Sequence, residues 1–195
     1  MIHTNQRSLP DPFIDLQAAT RQHRIHHQCG AYTFEDGLAL TDLVRTYDPQ
    51  RIVELGTALG YTACCLAYGS SVAHVDTIEG DPDHVRLARM HIAHTGLESR
   101  ITVHHGDFTT TLAGLPDGYD MAFFDGFAPS LELLMHLRRA LTDGGLLVCS
   151  NLQLGHGREA LLVADECANR AHWSLHTAIE GGRTVVLRKR TAQVA

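Results

Sequence analysis

From Arg51 onward, short β-branched or apolar runs alternate with helical patterns, and this alternation constrains the fold more than any other feature of the chain. Arg51-Ile52-Val53-Glu54-Leu55 predicts a strand, and Tyr61 to Tyr68 the helix after it. His74 to Ile78 is a second strand. The next helix opens at Asp81-Pro82, carries Val85, Leu87, Ala88 and Ile92, and ends near Gly96. Proline in the first turn and glycine just past the last are the expected punctuation. Ile101 to His104 and Tyr119 to Phe124 read as the third and fourth strands. Ser130 to Leu141 reads as a helix stopped by Gly144-Gly145, and Leu146 to Cys149 as the fifth strand. A helix from about Arg158 to Arg170 and strands Trp173 to Thr177 and Thr184 to Leu187 close the pattern. Such alternation implies an α/β fold with a mainly parallel sheet covered on both faces. Two helical segments, Ile14 to His27 and Glu35 to Tyr47, come first. With 195 residues and no repeat or linker, one domain is expected. Residues 1–48 would form N-terminal helices, as a lid or a dimer contact, and 49–190 the ligand-binding core.

The most informative stretch is Val53-Glu54-Leu55-Gly56-Thr57-Ala58-Leu59-Gly60-Tyr61-Thr62. A strand ending in an acid turns through two glycines straight into a helix. Gly56 lets the chain bend and a ligand approach the backbone, and Gly60 lets the helix start close to the strand. The spacing is GxxxG, so the dinucleotide fingerprint GxGxxG is not met, which disfavours a nicotinamide-dependent oxidoreductase. Further acids follow at the same end of successive strands: Glu79-Gly80 after the second, Gly106-Asp107-Phe108 after the third and Asp125-Gly126 after the fourth. One such acid is ordinarily a helix cap. Four beside glycines point to one shared site at the carboxyl edge of the sheet. A carboxylate there accepts two hydrogen bonds and suits a ribose diol.

The net charge of −6, with His neutral, gives no general electrostatic grip on nucleic acid or anionic lipid. No apolar run approaches the roughly 20 residues that span a bilayer. Met1 to Arg7 lacks the basic-then-apolar layout of a secretory signal. The five cysteines form no CxxC, and Cys64-Cys65 lie in an apolar helical stretch. A reducing cytoplasm is therefore the expected compartment.

The motif around Gly56 resembles motif I of the class I S-adenosylmethionine-dependent methyltransferases, and more narrowly the small-molecule O-methyltransferases of the catechol and caffeoyl-CoA type. The likeness runs over about residues 34–190 and includes the second acid, the Gly-Asp pair, the Tyr-Asp…Phe-Asp strand and the Leu-X-X-Gly-Gly-Leu-Leu-Val segment. It implies a Rossmann-like seven-stranded sheet with one antiparallel strand, here Thr184 to Arg188. It implies S-adenosylmethionine as cofactor and a small-molecule methyl acceptor. Glu54 and Gly56 would serve the methionine end, with the Thr57 backbone and Thr62 hydroxyl near its amino and carboxylate groups. Gly60, Tyr61 and Gly80 belong to the same binding turns. Glu79 would hold the ribose, and Asp107 with Phe108 the adenine.

The chain departs from that family where its metal-dependent members bind a divalent cation. The Asp after the fourth strand is kept as Asp125, but the Asp-Asn pair after the fifth reads Ser150-Asn151, and Phe127 stands where the family has Lys. A hard cation wants carboxylates, so Mg²⁺ use is disfavoured; if held, it would sit on Asp125 and Asn151. Without a metal, Asp125 would bind the cofactor at its amino group or orient the acceptor, and catalytic work falls to Asp125, Asn151 and a histidine base, with His156, His26 and His27 as candidates. His84, His91 and His94 read as exposed on a polar helix face, and Phe123 and Phe124 as core, whereas Phe127 faces either an acceptor or the loop. A faint likeness of Asp125-Gly126-Phe127-Ala128-Pro129 to tRNA-modifying methyltransferases is opposed by the acidic chain. N-methyl or RNA methylation, or cofactor binding without catalysis, stay open as alternatives.

Overall fold

The computed structural model describes residues 10–191, so Met1 to Arg7 lie outside the described residues. The elements run α1 (Ile14–His27), α2 (Gly37–Tyr47), β1 (Arg51–Leu55), α3 (Tyr61–Gly69), β2 (His74–Glu79), α4 (Pro82–Thr95), β3 (Ile101–His105), α5 (Phe108–Gly114), β4 (Tyr119–Phe124), α6 (Leu131–Ala140), β5 (Leu141–Cys149), α7 (Gly157–Ala168), β6 (Trp173–Ile179) and β7 (Thr184–Lys189). They form one seven-stranded sheet in the order β3-β2-β1-β4-β5-β7-β6. β1 to β5 pair in parallel, and β7 runs antiparallel to both β5 and β6. The antiparallel strand is the one that the resemblance implied.

Strand periodicity builds two cores. Ile52, Met121, Phe123, Leu146 and Val148 face the layer containing Ala63 and Leu66 of α3 and Val85 and Ala88 of α4. Their neighbours Val53, Leu55, Ala122, Phe124, Leu147 and Cys149 face Leu134 and Leu137 of α6 and Val163 of α7. Each fully buried Leu, Ile or Phe contributes roughly 1.5–3 kcal/mol. Cys64 and Cys65 are fully buried in the first layer, as small apolar residues.

Local signals set the helix ends. Asp81 caps α4, its Oδ1 accepting from the Asp83 and His84 amides at 2.8 and 3.2 Å, with Pro82 in the first turn and Gly96 left-handed after the last. The Ser130 hydroxyl accepts from Leu133 N at 3.1 Å to start α6. Two details differ from the sequence reading. The helix before the fifth strand ends at Ala140 rather than at the glycine pair, because Leu141 already pairs with Tyr119 and a register shift absorbs the glycines. The short α5 carries Thr-rich sequence without apolar periodicity and is recognisable only by its Asp107 cap, which accepts from Thr110 N at 3.0 Å.

The sheet reverses its winding between β1 and β4, where an open α/β sheet offers a crevice at the carboxyl ends of its strands. Backbone pairing carries on one residue past each strand there. Gly56 N donates to Ile78 O, Gly106 N to Glu79 O, Asp125 N to Leu55 O and Ser150 N to Phe124 O, all at 2.9–3.0 Å. This registry lines up the four strand ends as one rim.

Candidate active site

A cavity of about 690 Å³ opens over that rim. Its walls come from three places: the N-terminal segment (Thr20, Gly30 and Tyr32 to Glu35), the strand-end turns, and the loops after β5 and β6. Of the sequence candidates, Gly56, Thr57, Tyr61, Thr62, Glu79, Gly80, Asp107, Phe108, Asp125 and Asn151 all line it. Glu54, Gly60 and His156 do not.

The first turn is fixed by close approach. Gly56 has φ +102°, and a Cβ there would lie 2.7 Å from the Asp125 carbonyl oxygen. Ala58 takes the left-handed region at φ 45°, unusual for a residue with a side chain. Its amide donates to Glu79 Oε2 at 2.8 Å, and the Asp81 amide donates to Glu79 Oε1 at 2.9 Å. Each Glu79 oxygen thus makes one backbone bond and keeps acceptor capacity toward the cavity. Gly60 sits behind the wall at φ +96°, where a Cβ would meet Ile92 of α4 at 3.2 Å, so its part is helix-to-helix packing.

Glu54 is fully buried on the α3 side of β1. Its Oε2 accepts from the Thr77 hydroxyl at 2.5 Å, and the Thr57 and Thr77 hydroxyls lie 2.6 Å apart. Because Thr77 spends its proton on Glu54, Thr57 donates to Thr77, and this chain of hydroxyls links the buried acid to the cavity wall. Among the described residues, Glu54 Oε1 has no hydrogen-bond partner. Burial pushes the Glu54 carboxyl up to about 8, against the pull of the Thr62 and Thr77 hydroxyls beside it.

Asp125 lies at the other end of the cavity. Its Oδ1 accepts from the Ser150 hydroxyl at 2.6 Å and from Asn151 Nδ2 at 3.2 Å. Asn151, left-handed at φ 61°, also donates from Nδ2 to the Gly126 carbonyl at 2.7 Å. Desolvation raises the Asp125 carboxyl to about 7; Ser150 and Asn151 oppose the shift and Glu180 adds to it. This trio does not fit a divalent cation. It holds one carboxylate, and Ser150 and Asn151 aim hydrogens, not lone pairs, at the oxygen a metal would need.

The expected histidine base is not in the cavity. The 3-10 turn Leu152–Leu154 and Gly155 carry His156 out to an exposed position before α7. His26 and His27 are exposed on α1 and do not line the cavity either. His84 is a correction of another kind. Expected on the exposed face of α4, it is 5% exposed and lines the cavity, because α1 covers it: His23 packs edge-on against it with ring centroids 5.3 Å apart. His23 is held below the usual imidazole range by burial and by His27 and His84.

The sequence reading missed the N-terminal wall residues Thr20, Gly30 and Tyr32 to Glu35, and it missed Glu180 and Arg183 from the turn between β6 and β7. Glu180 Oε2 accepts from the Thr184 hydroxyl at 2.8 Å and Oε1 from the Glu35 amide at 3.2 Å, tying this hairpin to the N-terminal segment. The signal available was Glu180-Gly181-Gly182, an acid before a glycine turn like those after the earlier strands. Phe123 and Phe124 are core as expected, and Phe127 is 71% exposed beside Gly30 at the cavity wall.

Comparison with known proteins adds the lineage. A family described as a methyltransferase domain matches residues 53–152. A putative O-methyltransferase of a Mycobacterium species (strain JLS) is 31% identical over 176 residues, covering 88% of this chain and 76% of that protein. The catechol O-methyltransferase of Mycobacterium tuberculosis is 29% identical over 132 residues, 65% of this chain and 59% of its own. Among solved structures, the O-methyltransferase from Bacillus cereus in complex with SAH superposes with a TM-score of 0.74 over 91% of both chains. At 19% identity, that likeness speaks for the Rossmann-like fold alone.

Proposed function

The chain belongs to the methyltransferase-domain family, and from that premise we propose that it is an S-adenosylmethionine-dependent O-methyltransferase acting on a small-molecule hydroxyl. One observation carries the cofactor assignment: among the described residues, six carboxylates (Glu35, Glu79, Asp81, Asp107, Asp125 and Glu180) share the cavity with one guanidinium, that of Arg183. Such a wall repels the phosphates of a dinucleotide and favours a ligand that bears a sulfonium and an ammonium. The volume is that of a pocket for one cofactor and a small acceptor. The donor set fits S-adenosylmethionine, with Glu79 on the ribose hydroxyls, Asp107 and Phe108 beside the adenine, and the Gly56 to Ala58 backbone with Thr62 near the methionine end.

Bound there, the cofactor supplies an electrophilic methyl group on a good leaving group. The protein's share is then alignment, exclusion of water and handling of the acceptor's proton; alignment alone is worth about 7–11 kcal/mol in favourable cases. Asp125 is the group best suited to the proton. Its carboxyl titrates near neutrality because it is buried, and its Oδ1 is oriented by Ser150 and Asn151. The acceptor end also presents the exposed ring of Phe127 and Tyr32 of the N-terminal segment, which suits a flat aromatic hydroxyl. No step is assigned to a metal, since the Asp125-Ser150-Asn151 trio does not suit one.

Methyl-labelled cofactor offered with a panel of phenols, catechols, amines and RNA tests this reading. An O-methylated small molecule is the expected product. Label appearing only on nitrogen or RNA, or no turnover despite tight cofactor binding, would overturn it.

A further inference from the structure

Three side chains from three separate places in the chain meet beside the ribose end of the cavity: His23 on α1, Cys29 in the loop after it, and His84 on α4. Their ligating atoms all lie within 4.8 Å of one another. The proposed methyl transfer does not use this cluster, and packing of His23 against His84 leaves its ligating atoms unassigned. The geometry points to a site for a borderline divalent transition cation of the Zn²⁺ class, held by His23, Cys29 and His84, which clasps the N-terminal cover onto the cofactor-binding core.

The donor set is specific. Two imidazoles and a thiolate are what Zn²⁺ selects over the harder Mg²⁺ and Ca²⁺, which take oxygen ligands. In a tetrahedral site with metal–ligand bonds of 2.0–2.3 Å, neighbouring ligand atoms stand roughly 3.3–3.6 Å apart. The cluster therefore has to contract by about an ångström, within reach of a cysteine carried on a loop. His84 is already desolvated, at 5% exposure, and Glu79 Oε1 lies 3.8 Å from its Nδ1. A carboxylate beside a ligating imidazole is the usual outer support of such a site. The His27 ring stacks on His23 with centroids 4.4 Å apart and steadies it from the solvent side. Binding would displace the Cys29 thiol proton to solvent and leave a fourth position for water.

The placement gives the site a structural role. Thr20 of α1 and Gly30, next to Cys29, line the cavity, and so does His84. A cation joining them fixes the cover at the edge where Glu79 is poised for the ribose.

Titration of the full-length reduced protein with Co²⁺ tests the inference. One equivalent is expected to bind with a thiolate-to-metal charge-transfer band and the intense visible absorption of a tetrahedral site. Cys29→Ser should abolish the band and His23→Ala should weaken binding at least tenfold, while the exposed neighbour substitution His26→Gln changes neither. Zn²⁺ at a hundred times its dissociation constant should raise Tm by about 5–10 °C in the unsubstituted protein and not in Cys29→Ser. Unfolding curves without metal establish that the variants are folded. Absence of the band, its survival in Cys29→Ser, or loss of binding in Asn151→Ala instead would overturn the inference.

Discussion

Glu79→Ala separates the two tasks that its carboxylate performs. In the structure Oε2 accepts from the Ala58 amide at 2.8 Å and Oε1 from the Asp81 amide at 2.9 Å, and both oxygens retain lone pairs toward the cavity. A hydrogen bond to a charged group contributes about 1.5–3 kcal/mol net. Losing two from a ribose diol at the low end removes about 3 kcal/mol, a weakening of roughly 100-fold. The folding cost is smaller, because water entering the cavity can serve the two freed amides. About 1–2 kcal/mol is expected, a fall in Tm of roughly 2–8 °C. Some of that falls on the Ala58 turn, whose left-handed backbone is held by the lost bond. Calorimetry with S-adenosylhomocysteine measures the first effect, and urea unfolding without ligand the second. Affinity within twofold of the unsubstituted protein, in a variant that remains folded, would refute the ribose assignment.

Asp125→Asn keeps the shape of the Asp125-Ser150-Asn151 cluster but cannot take a proton; kcat should fall about 10²–10⁴-fold with cofactor affinity reduced far less, and the rise of the unsubstituted enzyme's rate through about pH 7 should disappear. Glu54→Gln tests the buried acid. Because burial raises the folded carboxyl to about 8, above its unfolded value of 4.5, its contribution to stability is complete below about pH 4.5 and is lost as pH rises through about 8. Denaturant unfolding between pH 5 and 8 should therefore show the variant gaining on the parent as pH rises, by at most about 1.4 kcal/mol per pH unit, and parallel curves would refute the raised carboxyl. Phe127→Ala, at an exposed site, should leave stability within about 0.5 kcal/mol while raising KM for an aromatic acceptor; an unchanged KM would remove Phe127 from the acceptor site.

The sequence by itself determined the architecture and most of the rim. Period-2 and period-3.6 patterns are local, so they mark the strands and helices wherever the chain comes to lie; the acids after β2, β3 and β4 inherit their common edge from parallel pairing alone. Tertiary structure decided what depends on segments distant in the chain. It buried Glu54 behind the cavity wall by packing α3 over the face that residue 54 takes on β1, and it drew Glu180 in through a hairpin anchored on the Glu35 amide. It carried His156 outward along a 3-10 turn and buried His84 under α1, reversing both expectations. The meeting of His23, Cys29 and His84 likewise has no signature in spacing. A linear pattern records which face a residue takes on its own element, but what covers that face is settled only when the elements pack.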